Sequence, residues 1–141
     1  MIKITKKNFK IDKEIDFVRS KHSNIGAVST FIGYVRNLNN KKKVKSIELE
    51  VYEKMAIKTL DKICNKAKNK WNLIDTLIIH RYGKIYVDEK IVLVATFSKH
   101  RKDSFQACKF IMDYLKKDAP FWKKENYKNN SSWLKNSKLK N

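Results

Sequence analysis

A chain of 141 residues, 42% of them hydrophobic, carries enough apolar surface for one domain with its own core, expected to span residues 1–141. Its 33 lysines and arginines against 14 acidic residues leave a formal net charge of +19, which favours anionic substrates and acidic protein surfaces. The excess is mostly lysine spread along the whole length, whereas a nucleic-acid-binding patch needs clustering on one face, and the longest uncharged apolar run, Ile91 to Phe97, is too short to span a bilayer.

The N-terminus has no apolar signal-peptide core, so the expected location is the cytoplasm. Met1 to Thr5 reads as a short edge strand, followed by a helix from about Asp12 to Lys21 with Ile11, Ile15 and Val18 on one face. Gly26 to Arg36 is β-rich, and Gly33 inside it marks a bulge or a close backbone approach, with Arg36 at the exit. Asn37 to Lys43 reads as a polar loop. Beyond it Ile47, Leu49 and Val51 alternate with Ser46, Glu48 and Glu50, the pattern of a strand with one wet face. Ala56, Leu60, Ile63, Cys64, Ala67 and Trp71 then form the apolar stripe of a helix from Glu53 to Trp71.

Thr76 to Tyr82 is a long strand, Gly83 and Lys84 turn into Ile85-Tyr86-Val87, and Asp88-Glu89 turn again. Ile91 to Ser98 is apolar on both faces and so belongs in the middle of a covered sheet. Asp103 with Gln106 three residues on suggests a capping box opening a helix whose buried stripe is Phe105, Cys108, Ile111, Met112 and Leu115. That helix runs into the only proline, Pro120. Glu125 to Ser132 reads as a loop, Trp133 as an anchor for it, and Leu134 to Asn141 as a fraying tail. The order of elements gives an α+β protein with a mainly antiparallel sheet.

Cys64 and Cys108 fall on apolar helix faces and read as reduced core residues. His22, His80 and His100 are scattered, no metal-ligand spacing occurs, and no phosphate-binding glycine loop, GxSxG elbow or carboxylate pair is present. Neither a metal nor a cofactor is expected. Basic residues do mark three element ends: Arg36, then His100 with Arg101, then Lys116 with Lys123 across Pro120. Converged, they would make a cationic pocket flanked by Phe31, Met112 and Trp122, suited to a flat, phosphate-bearing ligand. Two ammonium groups held close depress each other's pKa, and a neutral amine can act as base or nucleophile. Lysines at a helix end also simply complement its dipole. The His80-Arg81 pair reads as structural.

Six motifs in order give the chain a likeness to a known family: Gly26-Ala27 with Phe31-Ile32-Gly33-Tyr34-Val35-Arg36; Tyr52-Glu53-Lys54-Met55-Ala56; His80-Arg81-Tyr82-Gly83; Ser98-Lys99-His100-Arg101; Asp113-Tyr114-Leu115-Lys116; and Pro120-Phe121-Trp122-Lys123-Lys124-Glu125. The sequence resembles the large, catalytic subunit of molybdopterin synthase from Gly26 to Trp133. The resemblance implies an α/β hammerhead-type fold and a homodimer within a heterotetramer, each end binding a small ubiquitin-like sulfur carrier. The carrier's C-terminal thiocarboxylate would give its sulfur to cyclic pyranopterin monophosphate, forming molybdopterin.

Carried over by position, Lys116 and Lys123 match the family's two essential lysines, with proton transfer and oxyanion stabilisation as their implied roles and a covalent lysine adduct as the alternative. Arg36, His100 and Arg101 match residues that hold the substrate, with Phe31 and Met112 lining its pocket. The family's tail arginine, contributed by the neighbouring subunit, has Ser137 at its nearest position here, leaving Lys135 or Lys138 to take its place. Asp88 and Asn130 stand where glycines are usual, and both residue types tolerate left-handed backbone. Two other classes of function compete: a basic nucleic-acid-binding module, suggested by the charge, and a catalytically silent scaffold that keeps the carrier-binding surface.

Overall fold

The computed structural model describes residues 1–39, 41–127 and 131–135. Its elements run β1 (Ile2–Thr5), α1 (Ile11–Arg19), β2 (Ala27–Tyr34), β3 (Leu38–Asn39), β4 (Lys42–Val51), α2 (Glu53–Trp71), β5 (Asp75–Arg81), β6 (Gly83–Tyr86), β7 (Lys90–Ser98), α3 (Arg101–Asp118), β8 (Phe121–Tyr127) and β9 (Ser131–Lys135). They form two sheets rather than one. The first has the order β1-β5-β7-β2, antiparallel except for the parallel β1–β5 pair. The second has the order β3-β4-β8-β9, with β6 also paired to β4, and all its pairings are antiparallel. This is the expected α+β class, an α/β hammerhead-type arrangement.

The apolar run of β7 explains its central place. Val92 and Val94 face the core under α2 and α3, with Ile78, Ala56, Leu60, Cys108 and Ile111. Leu93, Ala95 and Phe97 face the opposite core, with Leu77, Ile79 and Val18 of α1. A strand covered on both faces needs no polar side, which is why its sequence does not alternate. The second sheet has a smaller core of Val35, Val44, Ile47, Leu49 and Ile85. Cys64 and Cys108 are free and buried, as their helix faces require.

Several local expectations are corrected. Asn37 to Lys43 is a hairpin, not a plain loop: β3 pairs with the start of β4, and Lys41 takes the left-handed backbone (φ 65°) of a tight turn. Glu125 to Ser132 is also not a loop, since β8 runs to Tyr127 and β9 begins at Ser131. Leu134 and Lys135, assigned to the tail, belong to β9; residues 136–141, with Ser137 and Lys138, and also Asn130, lie outside the described residues. So do the β9 side chains, Trp133 and Lys135 among them.

Helix α3 begins at Arg101, before the expected capping box, with His100 as N-cap and no side-chain cap. Its buried stripe is Ser104, Ala107, Cys108, Ile111 and Leu115, so Phe105, about 100° round the helix from Ser104, is 63% exposed. Asp88 holds φ 70°, the left-handed conformation its turn requires. Gly33 sits at the bulge between β2 and β7.

Candidate active site

A cavity of about 380 Å³ opens where the two sheets meet the C-terminal half of α3. Each wall follows from strand or helix periodicity. Phe31 and Gly33 come from β2 and Val92 from β7; Ile47 and Leu49 are the inward residues of β4; Met112, Leu115 and Lys116 project from the last turns of α3. Pro120 forbids continuation of that helix, and its preceding residue, Ala119, is already extended (φ −70°, ψ 138°). The chain then reverses into β8 against β4, where Phe121, Lys123 and Glu125 share one side. Lys123 thereby returns to the cavity that Lys116 lines, and Arg36, just beyond β2, joins them.

Three of the expected basic residues therefore line one cavity, Arg36, Lys116 and Lys123, together with Phe31 and Met112. Burial is the main reason that the Lys123 ammonium lies below the ordinary lysine range; the Glu125 carboxylate pulls it back up and the Arg36 cation pushes it further down. The cation beside Lys123 in this balance is Arg36, not the second lysine that the spacing suggested. Glu125 is almost fully buried and accepts a hydrogen bond from Asn39 Nδ2 at 2.6 Å.

His100 and Arg101 do not join this cavity within the chain. They follow Ser98, at the end of β7 opposite Val92. Six residues of strand separate those ends by about 20 Å. Both residues are exposed. A buried hydroxyl network fixes their backbone: Ser98 Oγ donates to the His100 carbonyl at 2.6 Å, Thr96 Oγ1 to the Ser104 carbonyl at 2.7 Å, Ser104 Oγ to the Arg101 carbonyl at 2.9 Å, and Ser29 Oγ to Ser104 Oγ at 2.8 Å. Trp122 is also displaced from its expected place. It alternates with Phe121 and Lys123, faces away, and is 41% exposed.

Among the cavity residues that the sequence reading did not assign to the site are Phe121 and His80, the latter read as structural. Their rings stack, with centroids 3.8 Å apart and planes at 19°. Arg81 fits the structural role expected for the pair, its guanidinium donating to the carbonyls of Lys6 and Lys90. His80 shares a β5 face with core residue Ile78, and a titratable side chain on that face was the available signal. No group of three or more His, Cys, Asp or Glu side chains placed to hold a metal occurs among the described residues.

The family model described as MoaE protein matches residues 4–118. The chain belongs to the MoaE family. As a member it is an enzyme subunit of molybdopterin biosynthesis. It is 46% identical over 133 residues to the molybdopterin synthase catalytic subunit of Ralstonia nicotianae, covering 94% of this chain and 76% of that protein. A molybdopterin biosynthesis MoaE protein from Burkholderia ambifaria superimposes with a TM-score of 0.83 at 41% identity, over 95% of this chain and 88% of that one. The molybdopterin synthase of Staphylococcus aureus gives a TM-score of 0.87 at 32% identity, over 94% and 96%. Each of these three likenesses covers at least 94% of this chain. No helix among the described residues is long and apolar enough to cross a membrane.

Proposed function

We propose that this chain acts in the cytoplasm as the catalytic subunit that moves sulfur from the C-terminal thiocarboxylate of a small ubiquitin-like carrier onto cyclic pyranopterin monophosphate, giving molybdopterin. The observation that carries the reading is the convergence of Arg36, Lys116 and Lys123 on one cavity of about 380 Å³. Three donor-only cations on apolar walls suit a phosphorylated heterocycle and a carboxylate-like chain end. No catalytic cysteine lines the cavity among the described residues, which agrees with sulfur arriving on a partner.

The carrier's sulfur first bonds to a side-chain carbon of the pterin and displaces an oxygen there; water then adds to the acyl carbon of the resulting thioester, and the tetrahedral oxyanion collapses with cleavage of the acyl carbon–sulfur bond, leaving sulfur on the substrate and a carboxylate on the carrier. Lys123, whose ammonium gives up its proton more readily than an ordinary lysine, is assigned proton transfer. Lys116, on the α3 wall, is assigned the oxyanion. Arg36 holds the phosphate. The alternative, a lysine–acyl adduct with the carrier, uses the same two amines.

His100 and Arg101 enter this reading from a second copy. They sit too far along β7 to reach their own cavity, yet they are exposed on a rigid helix start, the placement of residues that complete a neighbour's site. A homodimer with one carrier at each end follows. The reading is tested by incubating the purified chain with thiocarboxylated carrier and cyclic pyranopterin monophosphate and following molybdopterin. Product that depends on both additions supports it; carrier binding without product would leave only the silent scaffold, and nucleic-acid retention with a steep salt dependence the binding module.

A further inference from the structure

In their charged forms Arg36, Lys116 and Lys123 only donate hydrogen bonds, so a cavity holding these cations alone takes the anionic part of a substrate and leaves that substrate's own N–H groups unmatched. His80 is differently equipped. Its Nδ1 lies 2.9 Å from the Arg81 carbonyl oxygen, which can only accept, so Nδ1 carries the proton and Nε2 carries the lone pair. Phe121 stacks flat against the ring and fixes its plane. His80 Nε2 has no protein hydrogen bond among the described residues, and the ring that carries it lines the cavity. The remaining polar lining side chain, Tyr34, is half exposed and its hydroxyl both donates and accepts.

Resting on the proposed reaction, we infer that His80 is the specificity-determining acceptor of the cavity: its Nε2 takes a hydrogen bond from a ring N–H of the substrate's fused pyrimidine heterocycle, while the three cations take the phosphate. The neutral ring this needs is secured by burial, which lowers the His80 pKa to about 4 and outweighs the opposing hydrogen bond to Arg81. A site that accepts from a substrate N–H rejects an analogue lacking it, because the acceptor is then buried without a partner.

The test is fluorescence binding of two phosphate-free probes, lumazine, which has ring N–H groups, and 1,3-dimethyllumazine, which has none. The wild-type chain is expected to bind lumazine at least tenfold more tightly. His80→Phe, which keeps the stack on Phe121 but removes the nitrogen, should lose that preference, and His80→Gln, whose amide oxygen restores an acceptor, should recover it to within threefold. Equal binding of both probes by the wild type overturns the inference without any variant, and so does a preference that survives in His80→Phe. Molybdopterin formation by the wild type is scored separately: if it fails while the probe pattern holds, the proposed reaction falls and the acceptor stands.

Discussion

Asn39 Nδ2 donates to Glu125 Oε1 at 2.6 Å, joining the short β3 strand to a carboxylate that is almost wholly buried two residues beyond Lys123. A carboxylate in that place supports the charged form of the lysine on the same side of β8, against burial and against Arg36. Glu125→Gln keeps the size and removes the charge. With burial and Arg36 then unopposed, the Lys123 pKa falls further, so the limb of the pH–rate profile that reports Lys123 should move to lower pH. A profile of product formation against pH checks this; an unmoved limb would separate Lys123 from the rate.

The His80 ring also fixes a pH dependence of stability. Burial comes first among its causes and lowers its folded pKa to about 4, against 6.5 for an ordinary histidine. Between those values the unfolded chain binds a proton that the folded chain does not, so stability falls as pH drops through that window. The full effect has an upper bound of about 3 kcal/mol. Asp75 acts lower on the scale. Burial would raise its pKa, but hydrogen bonds from His22 and the Thr76 amide, with Lys68 nearby, hold it below the usual range. Its contribution is present above the ordinary carboxylate pKa and is lost as pH falls through its depressed value. Denaturant midpoints measured between pH 7 and 4 should fall, and His80→Phe should flatten that decline.

Phe97 is fully buried at the end of β7, packed among Leu77, Ile79 and Val18. Phe97→Ala should destabilise the chain by about 3–5 kcal/mol through lost burial and the cavity left behind, read as a lower urea midpoint at unchanged slope.

Gly26 is held for space. A Cβ there would lie 2.2 Å from the Lys99 carbonyl oxygen, a backbone atom that cannot swing aside. Gly26→Ala should cost about 1–3 kcal/mol and displace the chain just before His100 and Arg101. A raised KM for the pterin substrate, out of proportion to kcat, is the expected kinetic trace.

If His100 and Arg101 serve the neighbouring copy, two inactive variants should rescue each other. In an equimolar, re-equilibrated mixture of Lys123→Ala and Arg101→Ala chains, half of the dimers are mixed and each has one intact site, giving about a quarter of wild-type activity. No recovery on mixing would place both residues in the same site of one chain.

What could be read from the sequence was whatever depends on local period. The α2 stripe from Ala56 to Ala67 and the two-faced apolar run of β7 are written in consecutive residues, and the structure places them accordingly. The break at Pro120 also acts locally, so the return of Lys123 toward Lys116 was foreseeable as a possibility. Phe121 and His80 were not, because their meeting depends on β8 pairing with β4 while His80 comes from the other sheet. Residues 125–132 misled for a related reason: Glu125 is polar by composition yet buried, its carboxylate accepting a hydrogen bond from Asn39, 86 residues away. Phe105 misled in the opposite direction, as an aromatic left in solvent once α3 began at Arg101.

The central claim is that Lys116 and Lys123 perform the sulfur transfer in one cavity. Its most direct test is molybdopterin formation by Lys116→Ala and Lys123→Ala chains, each supplied with thiocarboxylated carrier and cyclic pyranopterin monophosphate and each verified to bind the carrier. Loss of at least a hundredfold in rate in both variants, with carrier binding retained, is the predicted result. Near-normal turnover in either would contradict the account.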